Sequence, residues 1–180
     1  DYLSFSRPLD DLRSQPLELG ALADEVLAVL EARAEVAAVA LKRSGGGARA
    51  VGDPRRLKEA LLNLIANAIE ATRQGGEVEV SVVGGADQAT IEIRDTGRGL
   101  GAEELARIGT PFYTTREDGT GLGVVLARGV IKQHGGQVAY ESEVGKGTRV
   151  TVTLPARAPE GRPQASAPAA APAAEARAHG

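Results

Sequence analysis

Apolar residues recur at helical spacing in three stretches of this chain. The first covers residues 17–36, where large apolar residues are separated by three or four positions. The second begins at Asp53-Pro54, because Asp is a favoured N-cap residue and Pro suits the first helical position, and we expect Gly75-Gly76 to end it. The third stretch, residues 124–134, is followed by two glycines. The buried face of the second helix is predicted to comprise Leu57, Leu61, Leu64, Ile65 and Ala68.

Between these stretches apolar and polar residues alternate, which predicts strands with one buried face. Val78, Val80 and Val82 alternate with polar residues, and Ile91 and Ile93 do the same. The predicted strands lie at positions 36–41, 78–82, 91–94, 138–140 and 150–154. Helices mixed with hairpin-like strands favour an α+β two-layer sandwich. Its mixed, mostly antiparallel sheet of about five strands would carry about three helices on one face.

Composition restricts the function classes. A length of 180 residues suits one domain, and the absence of cysteine excludes disulfides and thiolate sites. A formal net charge of -3 and an aromatic content of 3% argue against a nucleic-acid partner. The apolar runs are too short to cross a bilayer, and the first residues do not form a secretory signal. We therefore expect no membrane contact by this chain and a cytoplasmic location, although a longer parent protein could be membrane-anchored.

The two ends of the chain differ from its middle. Five of the nine prolines lie at Pro155 or later, among many alanines, which predicts a disordered tail over residues 156–180. Residues 1–8 have the pattern of a helix that stops before Pro8. We assign residues 1–16 to the end of a helix and a linker, and residues 17–155 to the folded domain.

Asn63 and Asn67 lie four positions apart in the second predicted helix and share a face away from its apolar stripe. Two solvent-facing polar residues are the simpler interpretation. However, asparagine is a mediocre helix former, and an amide oxygen can ligate a hard cation such as Mg²⁺ without adding charge. A cation site is therefore one hypothesis for this pair.

Two glycine-rich segments could bring the backbone close to a ligand. Asp95-Thr96-Gly97-Arg98-Gly99 follows a predicted strand, where the aspartate could accept a hydrogen bond from an exocyclic amine; an ordinary Asp/Gly turn is the alternative. Gly119-Thr120-Gly121-Leu122-Gly123 precedes the third helix, where free N–H groups and the helix dipole suit a polyphosphate; a flexible loop is the alternative. Between them, residues 111–116 (Pro-Phe-Tyr-Thr-Thr-Arg) could form a lid or a local hydrophobic anchor.

In this order the four segments resemble the N, G1, F and G2 boxes of the sensor histidine kinases, which belong to the wider gyrase, heat-shock chaperone, histidine kinase and mismatch-repair ATPase superfamily. The resemblance covers about residues 17–155 and includes Asp53, Gln133-His134-Gly135-Gly136 and Gly145-Lys146-Gly147-Thr148. It implies the Bergerat-type ATP-binding fold, with Mg²⁺ and ATP as cofactors. The short segment 112–119 is most similar to nitrogen-regulation-type sensor kinases.

The resemblance also implies a role for each matched residue. Asn67 would hold the Mg²⁺ that bridges the phosphates, with Asn63 assisting, and Arg116, where the family usually has lysine, would add a cation. Asp95 would accept a hydrogen bond from the adenine amino group. The other ATP-binding residues that the resemblance implies are Gly97, Gly99, Thr115, Gly119, Thr120, Gly121, Leu122, Gly123 and Thr148.

Two features decide which reaction the resemblance implies. The related ATPases have a water-activating glutamate where this chain has Asn63, and an amide cannot act as a base. We therefore expect slow hydrolysis and transfer of the γ-phosphate to a protein. Neither His134 nor His179 resembles the family's acceptor histidine. The acceptor would then lie on a dimerising helical hairpin that is absent from this chain, and residues 1–8 would be the end of that hairpin.

A response-regulator receiver domain would be the further partner in such a phosphorelay. Two alternatives stay open at this point: a serine kinase of the anti-sigma-factor type, and a non-catalytic module that binds ATP without transferring phosphate.

Overall fold

The computed structural model describes residues 12–108, 110 and 122–157. The predicted helix end at residues 1–8, most of the predicted tail, and the segment 111–121 lie outside the described residues. Within the described ranges the elements follow in this order: β1 (Gln15–Glu18), α1 (Leu19–Ala37), β2 (Ala40–Gly45), β3 (Arg49–Gly52), α2 (Pro54–Ala71), β4 (Glu77–Gly84), β5 (Gln88–Asp95), α3 (Ala102–Arg107), α4 (Gly123–Gln133), β6 (Gln137–Glu143) and β7 (Gly147–Pro155).

The main sheet has five strands in the order β2-β4-β5-β7-β6. β2 runs parallel to β4, and the other neighbours are antiparallel, which confirms the predicted mixed, mostly antiparallel sheet. The predicted alternation is also confirmed, because Val78, Val80 and Val82 are buried while the intervening residues are partly exposed. The opposite face of the sheet is polar and carries ion pairs such as Arg149 with Glu141.

Helix α2 packs between α1 and α4 and contacts β4 and β5. Every apolar residue predicted for its buried face is buried, and Ala60 and Ile69 extend that face. The short helix α3 was not predicted, and it contacts β6. The core therefore lies between the sheet and the three long helices, in agreement with the predicted two-layer arrangement.

The strand predicted at 36–41 is partly wrong. Helix α1 continues through Ala37 and is capped by Ala38, which has a left-handed backbone (φ 53°) and whose N–H donates to the Ala34 and Glu35 carbonyls. Strand β2 begins only at Ala40. A run of small apolar residues does not distinguish a helix end from a strand, and here tertiary packing buries Ala34 and leaves Val36 91% exposed.

Two further boundaries differ from the predictions. Helix α2 ends at Ala71, where the Thr72 hydroxyl donates to the Ala68 carbonyl over 2.7 Å, so Gly75-Gly76 forms the following turn and does not cap the helix. The small sheet formed by β1 and β3 was not predicted. Gln15 and Pro16, which the pattern assigns to the linker, pair with Gly52 and Val51 in that sheet.

The predicted N-cap of α2 is confirmed and has additional partners. The Asp53 carboxylate accepts hydrogen bonds from the N–H groups of Arg55 and Arg56, and its second oxygen accepts from Arg13 N–H over 3.2 Å. The Asp53 N–H donates to His134 Nε2 over 3.0 Å, and His134 Nδ1 donates to the Val130 carbonyl over 2.7 Å. Because both ring nitrogens are used, a neutral imidazole connects the end of α4 to the start of α2.

Among the helices in the described residues, none is both long and apolar enough to cross a membrane.

Ile65 is fully buried on α2 under the sheet. We predict that Ile65→Ala lowers the free energy of unfolding by about 2–5 kcal/mol, because it removes buried methyl groups and leaves a cavity. Val36→Ala, at a position 91% exposed, should change it by less than about 0.5 kcal/mol. Urea unfolding followed by circular dichroism measures both values. Equal losses in the two variants would contradict the assignment of this core.

Candidate functional site

The carboxylate of Asp95 lies at the end of β5 and is almost completely buried, with 4% relative exposure. Its Oδ1 accepts hydrogen bonds from Gly97 N–H over 2.9 Å and from Thr148 N–H over 3.2 Å. Both bonds are to Oδ1, and no other described residue donates to Oδ2, so Oδ2 can accept from a donor on a ligand. The strand end therefore presents an oriented acceptor in a buried setting.

Burial raises the pKa of Asp95 above its ordinary value of 3.8, because the charged form loses hydration. The two backbone N–H groups act in the opposite direction but do not compensate for the lost hydration. A carboxylate kept in so costly a position is characteristic of functional sites.

Two glycines after Asp95 allow close backbone contacts. A Cβ at Gly97 would collide with the carbonyl oxygen of Ala71, the last residue of α2. Gly99 has a left-handed backbone (φ 69°), and a Cβ there would collide with the Glu143 carbonyl at the end of β6. The segment after β5 is thus held between the C-terminal end of α2 and the turn that joins β6 to β7.

Helix α2 connects this segment to the start of α4. Asn63, Asn67 and Ala71 follow one another at intervals of four residues along one side of the helix, with a rise of roughly 6 Å per interval. At one end, a Cβ added to Gly123 would lie 3.7 Å from Asn63 Oδ1, so the backbone of Gly123 is close to the Asn63 amide. At the other end, the Ala71 carbonyl accepts a hydrogen bond from Arg98 N–H over 3.3 Å.

The structure therefore brings together most of the predicted residues that it describes. Asn63 and Gly123 meet at one end of a common face, Asn67 lies between, and Asp95, Gly97, Gly99 and Thr148 meet at the other end. Leu122 is the N-cap residue of α4 and is half-buried. The predicted residues Thr115, Arg116, Gly119, Thr120 and Gly121 lie outside the described residues.

The motifs did not predict a role for Ser142. Its hydroxyl accepts from Leu100 N–H over 2.7 Å, donates to the Gly147 carbonyl over 3.0 Å, and lies 2.7 Å from the Thr148 hydroxyl. Ser142 therefore connects the glycine segment after β5 to the start of β7. A polar residue at an inward position of a strand, two residues after Tyr140, is the signal that would have identified it.

The donor groups near α2 limit how a metal could be held. In the described ranges, no group of three or more His, Asp and Glu side chains could hold a metal ion. Asn67 offers one neutral amide oxygen on a half-buried face. Such a site fits Mg²⁺, which usually takes one or two protein ligands and completes its shell with phosphate and water oxygens.

Comparisons with known proteins agree with this geometry. A family model described as histidine kinase-, DNA gyrase B-, and HSP90-like ATPase matches residues 52–158. The chain is 36% identical over 141 residues to sporulation kinase C of Bacillus subtilis (strain 168), an alignment that covers 77% of this chain and 33% of that protein. It is 39% identical over 112 residues to sensor histidine kinase ZraS of Escherichia coli (strain K12), which covers 62% of this chain and 24% of ZraS.

Solved structures show the same fold. The catalytic domain of histidine kinase ThkA, in a nucleotide-free form, has a TM-score of 0.71 at 26% identity, covering 79% of this chain and 95% of that chain. Full-length ShkA in complex with AMPPNP has a TM-score of 0.74 at 26% identity, covering 82% of this chain and 32% of that chain. The chain thus spans a third or less of the two sequence relatives named above and nearly the full length of an isolated catalytic domain.

The raised pKa of Asp95 predicts a specific effect on stability. A carboxyl group whose pKa is raised by folding destabilises the fold once it ionises, so its cost develops as pH rises above 3.8. Asp95→Asn keeps an acceptor oxygen but removes the charge. We expect this variant to be more stable than the parent at pH 7, with a difference that shrinks towards pH 4.

Urea unfolding at both pH values measures this difference, in the absence of nucleotide. The matched control is Asp87→Asn, at an exposed position, which should change the free energy of unfolding little at either pH. A variant of Asp95 that is less stable than the parent at pH 7 would contradict the prediction.

Proposed function

The chain belongs to the histidine kinase-, DNA gyrase B-, and HSP90-like ATPase family, and on this premise we propose that it binds Mg-ATP as the catalytic domain of a sensor histidine kinase. The observation that carries the proposal is the side of α2 that runs from Asn63 to Ala71. It joins a helix start suited to phosphates with a buried carboxylate suited to adenine.

At the adenine end, Asp95 Oδ2 would accept a hydrogen bond from the exocyclic amine. The two backbone N–H groups on Oδ1 hold the carboxylate in one orientation before any ligand arrives. Gly97 and Gly99 add no side chains, so a flat base can approach the backbone. Thr148, through its hydroxyl and Ser142, would hold a water near the base.

At the phosphate end, the start of α4 has no side-chain cap among the described residues, so its backbone N–H groups and the positive end of this 11-residue helix suit phosphates. Gly123 leaves room for phosphates beside Asn63. Asn67 would hold Mg²⁺, whose charge offsets that of the phosphates. We propose that Thr115, Arg116, Gly119, Thr120 and Gly121 complete the site.

The reaction that we propose is transfer and not hydrolysis. Asn63 stands next to Gly123 and carries an amide, which cannot take a proton from water. Glu59, one turn earlier on α2, is exposed. Transfer would therefore depend on positioning and charge neutralisation. Sporulation kinase C and ZraS are both named as kinases, which favours this reading over an anti-sigma-type serine kinase or a non-catalytic module.

We propose that the acceptor is a histidine on a dimerising helical hairpin of the same kinase, with residues 1–14 as its end and linker and residues 15–155 as the catalytic domain. A response-regulator receiver domain would take the phosphate onward, and the site would face the cytoplasm, where ATP is available.

Two substitutions test the two ends of the site separately. Asp95→Ala should weaken ATP binding roughly 10- to 100-fold and reduce the preference for ATP over GTP, because a hydrogen bond to a charged group is lost. Asn67→Ala should make ATP affinity nearly independent of Mg²⁺. Isothermal titration with and without Mg²⁺ measures both effects, with exposed Gln74→Ala as the control. Unchanged binding in both variants would refute the residue assignments.

A phosphotransfer assay tests the reaction. When the chain is incubated with labelled ATP, Mg²⁺ and a separately produced histidine-containing hairpin, we expect acid-labile phosphate on the hairpin. Acid-stable phosphate on a partner serine would instead support the serine-kinase alternative. Nucleotide binding without transfer to any acceptor would support the non-catalytic module.

A further inference from the structure

A groove of about 560 Å³ lies beside the small β1–β3 sheet. Its mostly apolar lining includes Leu12, Pro16, Val51, His134, Pro155 and Arg157. None of the described residues that line it belongs to the candidate site, and the groove lies near the N-terminal end of α2, where His134 meets Asp53. The asparagines of the site lie further along the same helix.

We propose that this groove is the docking site of the chain's own N-terminal segment, residues 1–11. In the proposed kinase this segment is the end of the hairpin and the linker, so the groove would hold that end against the catalytic domain. The inference does not require the proposed phosphotransfer.

The position of the groove along the chain favours this occupant. Leu12, which follows the segment directly, lines the groove. Two residues later the chain enters the lining again at Ser14, Gln15 and Pro16. An extended chain spans up to roughly 3.5 Å per residue, so residues 5–9 are within easy reach of the opening.

The composition of the two terminal segments distinguishes between them. Both adjoin the groove, because Arg157, which precedes the C-terminal segment, also lines it. The N-terminal segment contains the large apolar residues Tyr2, Leu3, Phe5 and Leu9. Residues 158–180 contain alanine and proline but no large apolar residue. Only the N-terminal segment can therefore fill an apolar groove with side chains of matching size.

Charge favours the same occupant. Residues 1–11 contain three aspartates and one arginine, whereas residues 158–180 contain two acidic and two basic residues. Among the described residues, the groove lining contains Arg49 and Arg157 and no acidic residue. Both arginines are exposed, and neither has an ion-pair partner within the described residues. An acidic segment would supply negative charge to pair with these two arginines.

The residue after Leu12 is connected to a lining residue of the groove through Asp53. Arg13 N–H donates to the Asp53 carboxylate, and Asp53 N–H donates to His134, which lines the groove. These bonds hold the chain beside the groove two residues before β1 begins. A docked segment would consequently adjoin the hydrogen bonds that fix the start of α2, the helix that carries Asn63 and Asn67.

The absence of tryptophan from the chain allows a direct test in the full-length chain. Phe5→Trp places a single reporter in the proposed occupant, and Ala169→Trp places the same reporter in the C-terminal segment. We expect Trp emission from the Phe5→Trp chain to be blue-shifted, with an acrylamide quenching constant severalfold lower than that of the Ala169→Trp chain.

Changes in the groove should release the reporter. Adding Val51→Glu to the Phe5→Trp chain should raise quenching to the level of the Ala169→Trp chain. Because Val51 also pairs with Pro16 in the β1–β3 sheet, the exposed Arg157→Glu serves as a second variant and should raise quenching partway. Val36→Glu, at an exposed position on α1, should leave quenching unchanged. Circular dichroism checks that each variant is folded.

Three outcomes would overturn the proposal. The first is equal, high accessibility of the two reporters. The second is shielding of the reporter at position 169, which would make the C-terminal segment the occupant. The third is shielding of the reporter at position 5 that disappears on dilution, which would assign the groove to a second copy of the chain.

Discussion

The position of helix α2 is the constraint on which the candidate site depends. Its apolar side is buried against β4 and β5, and it packs between its neighbours α1 and α4. Its start is fixed by the Asp53 carboxylate and by His134, and its end by the contacts of Ala71 with Gly97 and Arg98. The asparagine pair projects from the side that remains. Core packing therefore places the two amides relative to Gly123 and Asp95, and within the described ranges no hydrogen bond holds their side chains. The packing of the core thus determines where the site residues on α2 lie.

Asp95 differs from the asparagine pair, because its position in the site lowers the stability of the fold. Its burial removes hydration from a charge and raises its pKa, so the ionised group destabilises the fold at neutral pH. The carboxylates that cap two of the helices behave differently: Glu18 caps α1 by accepting hydrogen bonds from Gly20 and Ala21 N–H, and Asp53 caps α2. Although burial acts to raise the pKa values of Glu18 and Asp53 as well, hydrogen bonds from backbone N–H groups outweigh it and hold both values below the ordinary range. They therefore support the fold at neutral pH and lose that contribution as pH falls. Of these three carboxylates, only Asp95, which is proposed to bind the base, has a pKa raised by its environment and so destabilises the fold when it is ionised.

The groove and the candidate site lie towards opposite ends of the same helix. His134 lines the groove and accepts a hydrogen bond from the residue that caps α2, and the Val130 carbonyl fixes its tautomer. Gly52 makes this contact possible, because a Cβ there would collide with the His134 ring and Leu57. An occupant of the groove would therefore lie beside His134, which accepts a hydrogen bond from the N-cap residue of α2. This arrangement gives a physical route by which the segment before the domain could influence nucleotide binding.

Local sequence determined the α+β class, the start of α2, its buried side, the alternation in β4 and β5, and the order of the four motifs, because these follow from side-chain periodicity and capping within a few residues. The motif resemblance also identified the family. Local pattern did not determine where α1 ends, because a run of small apolar residues suits either a helix or a strand. It also did not identify the four-residue strands β1 and β3, which are defined by their pairing with each other. The role of Ser142, the direction of the pKa shift at Asp95 and the groove beside His134 arise from groups that are distant in the chain. Only the tertiary structure could decide them, because burial and hydrogen-bond partners depend on what packing brings next to each residue.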